Sequence, residues 1–205
     1  MSKPTAITKN TANTTTVVLC GVGGQGTILA ADLLARAAME AGLQVKLSEI
    51  HGMAQRGGAV STIVRFGTCV SSMVADIGCA DYIVSFETTE ALRNLPYLAP
   101  QGIFLVNDEA VKPLPVATGA AAMPAAAPEK LRAAGAVLIP AGAMARTAGS
   151  AKSTNVVLIG ALAAGLDFDC ATWEAIIAAH VPQKTIETNI AAFRAGFAFV
   201  KGATA

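Results

Sequence analysis

No apolar run in this sequence approaches the ~20 residues that a helix needs to cross a bilayer, although 53% of its residues are hydrophobic. Much of that fraction is alanine, so no membrane span and no membrane partner are expected. Charge of one sign is also missing. The 15 Lys and Arg residues stand against 14 Asp and Glu, a net +1, which leaves no field to draw in nucleic acid. Cysteine is sparse: Cys20, Cys69, Cys79 and Cys170 include no C-x-x-C pair. Thiolate-held iron–sulfur clusters take closely spaced ligands, so none is expected on this chain, and the four thiols read as buried groups beside strands and helices. The opening MSKPTAITKNTANTTT has no apolar core of the kind a secretory signal needs, which points to a cytoplasmic protein. No solenoid-period repeat is visible, and 205 residues suit one domain.

Residues 1–15, polar and without periodicity, read as a mobile tail, and residues 16–205 as the folded domain. TTVVLCG is a short strand suited to burial on both faces. A helix follows from about Gln25 to Ala41, with Ile28, Leu29, Ala31, Leu33, Leu34, Ala37 and Ala38 as its apolar face and Gly42 as its stop. LQVKLSEI is a second strand. AVSTIVRFG is a third, with Val60, Thr62, Val64 and Phe66 on one face and Ser61, Ile63 and Arg65 on the other. DYIVSFE and GIFLVND are the next two, with the short helix TTEALRNLPYL between them, its threonines placed to accept backbone donors. Proline recurs between Val111 and Glu129, which suits a surface excursion. GAVLIPA restores a strand. STNVVLIGALAAGL is a helix whose Gly and Ala positions permit close approach, and DCATWEAIIAAHV and ETNIAAFRAGFAFV are amphipathic helices. Strands alternating with helices predict an α/β fold, a single Rossmann-like three-layer domain around a mainly parallel sheet.

Gly21, Gly23 and Gly26 satisfy G-x-G-x-x-G between the first strand and the first helix. Glycines there allow a tight turn and close backbone approach, and free N–H groups at a helix start attract an anion. Glu49, near the end of the second strand, stands where an acidic residue would grip a ribose in a dinucleotide site. A glycine turn that merely joins strand to helix is the plainer alternative. Gly24 and Gln25 make this loop unusually exposed and polar, and HGMAQRGG follows Glu49 by one residue, which argues for some other ligand or docking partner.

In that second segment Arg56 offers a planar fork for a carboxylate or phosphate, and His51 or Gln55 a donor; Arg56 bridging to a partner and a structural His51 is the competing reading. Glu87 either lines a crevice at the sheet's carboxyl edge or begins the next helix. Asn107 and Asp108 either share that crevice or close a turn. Lys152, Ser153 and Asn155 precede an apolar helix whose N-terminus could bind an anion, and Ser153 or Thr154 as an ordinary cap is the alternative. His180 suits a helix C-terminus, and Trp173, Phe193, Phe197 and Phe199 suit a core or an interface.

GVGGQG, the Ala/Leu-rich helix and SEIHGMAQRGGAVSTIVRFG together resemble the gamma-type subunit of the 2-oxoacid:ferredoxin oxidoreductases, most closely the beta subunit of the indolepyruvate enzymes. The likeness runs on through FETTEALRNLPYL, Asn107 and STNVVLIGAL to Glu187 and Asn189. The resemblance implies a gamma-type domain over 16–205 in an enzyme that turns an aryl 2-oxoacid and coenzyme A into acyl-CoA and CO2 while reducing ferredoxin. It implies a large alpha partner carrying thiamine diphosphate, magnesium and iron–sulfur clusters. In keeping with this, the chain has no G-D-G followed some thirty residues later by paired asparagine. It implies no metal ligand or catalytic residue here and no turnover by the chain alone. Gly23, Gly24, Gln25 and Gly26 would form a backbone-rich wall facing the shared active site or the coenzyme A diphosphate, and His51, Gln55, Arg56 and Gly57 an active-site loop. A free-standing NAD(P)-dependent enzyme and a purely structural docking subunit are the alternatives.

Overall fold

The computed structural model describes residues 14–52 and 58–203. Most of residues 1–15, and Gln55, Arg56 and Gly57 of the second loop, lie outside them. Six strands form one sheet: β1 (Thr15–Val22), β2 (Gln44–His51), β3 (Ala59–Gly67), β4 (Ala80–Ser85), β5 (Leu98–Asn107) and β6 (Val137–Ile139), in the order β2-β3-β1-β4-β5-β6. β1 pairs in parallel with β4, β4 with β5 and β5 with β6, whereas β3 lies antiparallel to both β1 and β2. Among the described residues β3 alone runs against the rest, so the sheet is mainly parallel, as the alternation of elements predicts. The exception has a plain cause. Residues 52–58 separate β2 from β3, too short a link for a parallel crossover, which needs a dozen or so residues, and long enough for a hairpin.

Helices cover both faces. On one lie α1 (Thr27–Glu40), α5 (Ala141–Thr147), α6 (Thr154–Ala163), α7 (Cys170–His180) and α8 (Ile186–Ala203), packed on Val17, Leu19, Val64, Phe66, Val84 and Leu105. On the other, α2 (Thr88–Asn94) and α4 (Ala127–Ala133) place Ala91 and Leu131 against Val18, Cys20, Ile63, Ile83 and Phe104. Alternate residues of β1 and β3 thus face opposite layers, as their sequence periodicity requires. The excursion after β5 contains only the four-residue turn of helix α3 (Leu114–Ala117) before α4.

α1 closes as its sequence predicts, with Gly42 N donating to Met39 O and Leu43 N to Ala38 O. Its buried face differs from the expected one at Ile28, which is 62% exposed, while Ala30 is buried. Ile28 stands in the first turn, next to the exposed Gly24 turn, where helical spacing no longer guarantees something to pack against. The start of α2 also differs: Glu87 is the N-cap and its carboxylate accepts from Glu90 N, so the threonines are not the caps. α5 has no counterpart in the sequence reading, because AGAMART is short and its buried side is made of Ala141, Gly142 and Ala145.

α6 and α8 show why small residues were placed where they are. A Cβ on Gly160 would lie 2.0 Å from Phe193 O, and one on Gly196 1.9 Å from Val157 O. The two backbones touch, and Val156, Val157, Leu158, Ile159 and Leu162 are wholly buried around the contact. Phe66, Phe168, Trp173, Phe193 and Phe197 form a continuous row of ring contacts through this layer, with centroids 5.7 to 6.2 Å apart. Trp173 and Phe193 are therefore core residues.

Candidate functional site

At the carboxyl end of β1 the glycine turn meets the β2–β3 hairpin. Gly23 N donates to Gly58 O at 2.9 Å, and Gly52 N donates to Ala59 O at 2.9 Å to close the hairpin base. The two segments that stood about thirty residues apart in sequence are thus neighbours. His51, the last residue of β2, is exposed and paired with Val60. Ile50 beside it is 63% exposed, matching Ile28 just after the glycine turn.

Gln25 holds the turn from inside. Its Oε1 accepts from Val22 N at 2.8 Å and its Nε2 donates to Phe86 O at 3.2 Å. A Cβ on Gly21 would fall 2.5 Å from Gln25 Oε1 and 2.8 Å from Phe86 Cβ. The first glycine of the motif therefore makes room for the protein's own carboxamide and ring. That room lies between β1 and β4, where α1 and α2 leave for opposite faces and where doubly wound sheets usually seat ligands. Here the crevice is filled at its floor, and the open part of the loop is its outer rim.

Gly24 forms that rim: it is exposed, has φ +99°, and a Cβ there would meet nothing within 4 Å. Gly26, in the left-handed region, is the N-cap of α1; it gives no side-chain cap, and the first turn contains no acidic residue. The first amides of α1 thus carry the partial positive charge of a helix start with no carboxylate to neutralise it. Asn155, in the first turn of α6, donates from Nδ2 to Gly26 O at 3.3 Å. The sequence offered Asn155 only as a candidate anion ligand; nothing in the spacing of residues 129 apart signals this contact. Ser153 is the N-cap residue of α6 but makes no side-chain cap bond, and Ser150 accepts from Lys152 N one turn earlier.

The remaining candidates fall into supporting roles. Glu87 is buried, with one oxygen on Glu90 N and the other accepting from Val111 N at 3.4 Å, so it begins a helix and does not line a crevice. Asn107 Nδ2 donates to the same Phe86 carbonyl as Gln25, at 3.1 Å, and to Glu109 Oε2 at 3.3 Å, linking the segments that follow β1, β4 and β5. Asp108 N closes on Ile139 O. His180 Nδ1 lies 2.8 Å from Ile176 O at the end of α7. Burial of the Glu90 carboxyl raises its pKa against the opposing pull of Arg93, whose Nε lies 3.1 Å from Oε1. Burial likewise pushes the Cys20 thiol up to about 12. Cys20 is the buried cysteine; Cys69, Cys79 and Cys170 are exposed, against the expectation that all four pack inside. Cys69 and Cys79 belong to the link between β3 and β4, and Cys170 opens α7 after its Asp169 cap, so each sits outside the sheet layers. Among the described residues no group of three or more His, Cys, Asp and Glu could hold a metal ion, and no helix is long and apolar enough to cross a membrane.

The strand order bears on the dinucleotide alternative. Glu49 pairs with Thr62 of β3, and β3 stands between β2 and β1. Two strand spacings, about 9.6 Å, therefore separate the Glu49 backbone from β1. In the arrangement that grips a ribose the second strand adjoins the first. The acidic residue needed for that reading is displaced by a whole strand.

The family model for pyruvate ferredoxin/flavodoxin oxidoreductase matches residues 16–199. The chain belongs to that family. Two curated members, each named indolepyruvate oxidoreductase subunit IorB, are similar along almost their whole lengths. The protein from Thermococcus kodakarensis is 40% identical over 187 residues, covering 88% of this chain and 93% of its own. That from Pyrococcus horikoshii is 39% identical over 189 residues, with the same coverage. Among solved structures, the gamma subunit of a keto/oxoacid ferredoxin oxidoreductase from Geobacter sulfurreducens shares the fold with a TM-score of 0.68 at 22% identity, over 92% of this chain and 99% of that one. Pyruvate oxidoreductase subunit PORC from Thermotoga maritima gives a TM-score of 0.68 at 24% identity, over 90% and 96%. The family membership agrees with the resemblance carried by the glycine turn and the β2–β3 segment, and the shared fold agrees with the predicted three-layer architecture.

Proposed function

We propose that this chain is the small subunit of an indolepyruvate, or aryl 2-oxoacid, ferredoxin oxidoreductase, and that it closes one side of an active site whose redox machinery sits on a large partner. The overall reaction joins a 2-oxoacid and coenzyme A, releases CO2, and passes two electrons to ferredoxin. The observation that carries the reading is the Gly23–Gly58 hydrogen bond, which puts the glycine rim and the hairpin side by side on the exposed end of the sheet. Two features of that end support a role in a shared chamber. Ile28 and Ile50 flank it as exposed large apolar residues, of the kind a partner surface covers. Gly24, Gly26 and the uncapped start of α1 offer backbone donors in a positive field to an anionic group.

Thiamine diphosphate, magnesium and iron–sulfur clusters are assigned to the partner, where thiamine would supply the carbanion chemistry of decarboxylation. What this chain's donor set fits is a phosphate or carboxylate oxygen. We assign Gly24 and Gly26 to that contact through their backbone, with the coenzyme A diphosphate as the ligand, while Gly23, whose N–H is bonded to Gly58 O, ties the wall to the hairpin. Gln25 shapes the wall from behind. His51, with Gln55, Arg56 and Gly57, forms the adjoining loop, Arg56 holding an anionic group. The protein acts in the cytoplasm and reaches ferredoxin through the complex.

The test is co-expression with the large subunit, followed by viologen reduction with indolepyruvate and coenzyme A. Activity is expected only from the complex. Gly24→Ala in that complex, which strains the backbone at φ +99°, should raise the KM for coenzyme A about fivefold or more, equivalent to roughly 1 kcal/mol of left-handed strain and lost approach. An unchanged KM and kcat would remove the glycine rim from the site. Hydride transfer by the isolated chain with NADH would restore the dinucleotide alternative. Hairpin variants that weaken assembly but leave the remaining complex fully active would favour a docking role alone.

A further inference from the structure

The carbonyl of Gly26 accepts from two donors, Ala30 N at 3.1 Å and Asn155 Nδ2 at 3.3 Å. Asn155 is 5% exposed, and its Oδ1 accepts from Val156 N at 3.0 Å. That second bond occupies one of the amides a helix start leaves without an intrahelical acceptor, and it fixes which end of the carboxamide faces Gly26. The carboxamide also rests on the bare side of the glycine: a Cβ on Gly26 would lie 2.6 Å from Asn155 Nδ2. One side chain thus ties the start of α6 to the start of α1. Among the described residues the glycine turn has two other attachments, the Gln25 carboxamide and the Gly23–Gly58 bond, and both act before Gly26. Asn155 holds the end at which the turn becomes a helix.

We propose that Asn155 is a positioning residue for the glycine wall: it sets the orientation of the Gly26 peptide, and with it the direction of the Gly24 and first-turn α1 amides, without touching a ligand itself. This rests on the reading that the glycine rim faces coenzyme A. Removing the carboxamide leaves α1 free to start one residue earlier or later, so donors meant for one oxygen would sample several directions. Placement errors of this kind reduce binding and turnover.

Asn155→Ala in the co-expressed complex decides it. Hydrogen exchange of residues 23–29 in the ligand-free complex should rise about tenfold, corresponding to loss of one net hydrogen bond. The coenzyme A Kd by calorimetry should weaken about five- to tenfold by the same measure. The KM for indolepyruvate and the yield of complex should stay within about twofold, where a purely structural residue would lower the yield and spare the coenzyme A affinity of what remains. If Ala prevents assembly, Asn155→Asp carries the same readouts. It has the same shape, still accepts from Val156 N, and suits a helix start, while it opposes the Gly26 carbonyl with an oxygen. Unchanged exchange and unchanged affinity overturn the proposal. If Gly24→Ala weakens coenzyme A and Asn155→Ala does not, the positioning role alone fails. If neither does, the placement of the rim at the ligand fails and takes this inference with it.

Discussion

Alanine at position 196 would test the packing of α6 against α8 with a single methyl group. The new Cβ would sit 1.9 Å from Val157 O, 2.8 Å from Val157 C and 3.0 Å from Ala161 N. These are backbone atoms of a helix whose other side is wholly buried, so no rotamer change relieves the overlap. Restoring ordinary contact at 3.4 Å requires the helices to part by about 1.5 Å. A gap of 0.5–1 Å already forfeits roughly a quarter to a half of the dispersion energy across an interface, and overpacked cores lose about 1–3 kcal/mol, occasionally more. Opposing this, alanine gains up to about 1 kcal/mol over glycine in helix propensity. The net expectation is about 1–2 kcal/mol of destabilisation, or a fall in Tm of roughly 2–8 °C for a chain of this size. Circular dichroism melts of wild type, Gly196→Ala and Gly202→Ala provide the measurement. Gly202 lies in the same helix with nothing within 4 Å of its would-be Cβ, and its substitution should be neutral or stabilising by up to about 1 kcal/mol. A Gly196→Ala protein that melts with or above wild type would refute the close-contact argument.

Glu90 predicts a pH dependence. Its pKa lies above the ordinary value because burial disfavours the carboxylate, so its contribution to stability is full below about pH 4.3, the unfolded value, and is lost as pH rises through the raised folded value. Glu90→Gln should therefore gain stability relative to wild type between pH 4 and pH 7.5 in paired urea titrations; a gap that moves the other way would show that the Arg93 pair dominates. Thiol labelling supplies another test. Cys69, Cys79 and Cys170 should react with iodoacetamide in the native chain at pH 8, while Cys20, buried and pushed up to about 12, should react only after unfolding. Mass spectrometry reads the difference, and rapid native labelling of Cys20 would contradict its placement between β1 and α2.

How much was legible follows from the range of each interaction. The strands, α1, α2 and the long apolar helices α6 and α8 are written in local periodicity and in glycine stops, and the match between VVLC and a doubly covered strand needed no distant partner. The hairpin between β2 and β3 was also within reach, since residues 52–58 are too few for a crossover, but strand–helix alternation outweighed that count. Ile28 shows the opposite failure: its spacing is right for a buried face, yet at the helix start it stays exposed. The cap of α2 shows another: a threonine pair is the commoner cap signal, and the choice left open for Glu87 between helix start and crevice was settled for the helix start only by the fold, which also brings Val111 N to the carboxylate.

By itself the sequence determined the layered α/β class, the glycine turn between β1 and α1, and the second polar segment downstream, because local spacing and turn chemistry write these directly. Only the tertiary structure decided that β3 separates Glu49 from the glycine turn, that Gln25 and Phe86 fill the crevice floor, and that Asn155 fastens Gly26. Those facts depend on strand order and on contacts between residues up to 129 positions apart. Such contacts arise when hydrophobic faces close over the sheet, and no local pattern of side chains specifies which neighbours that closure will bring together.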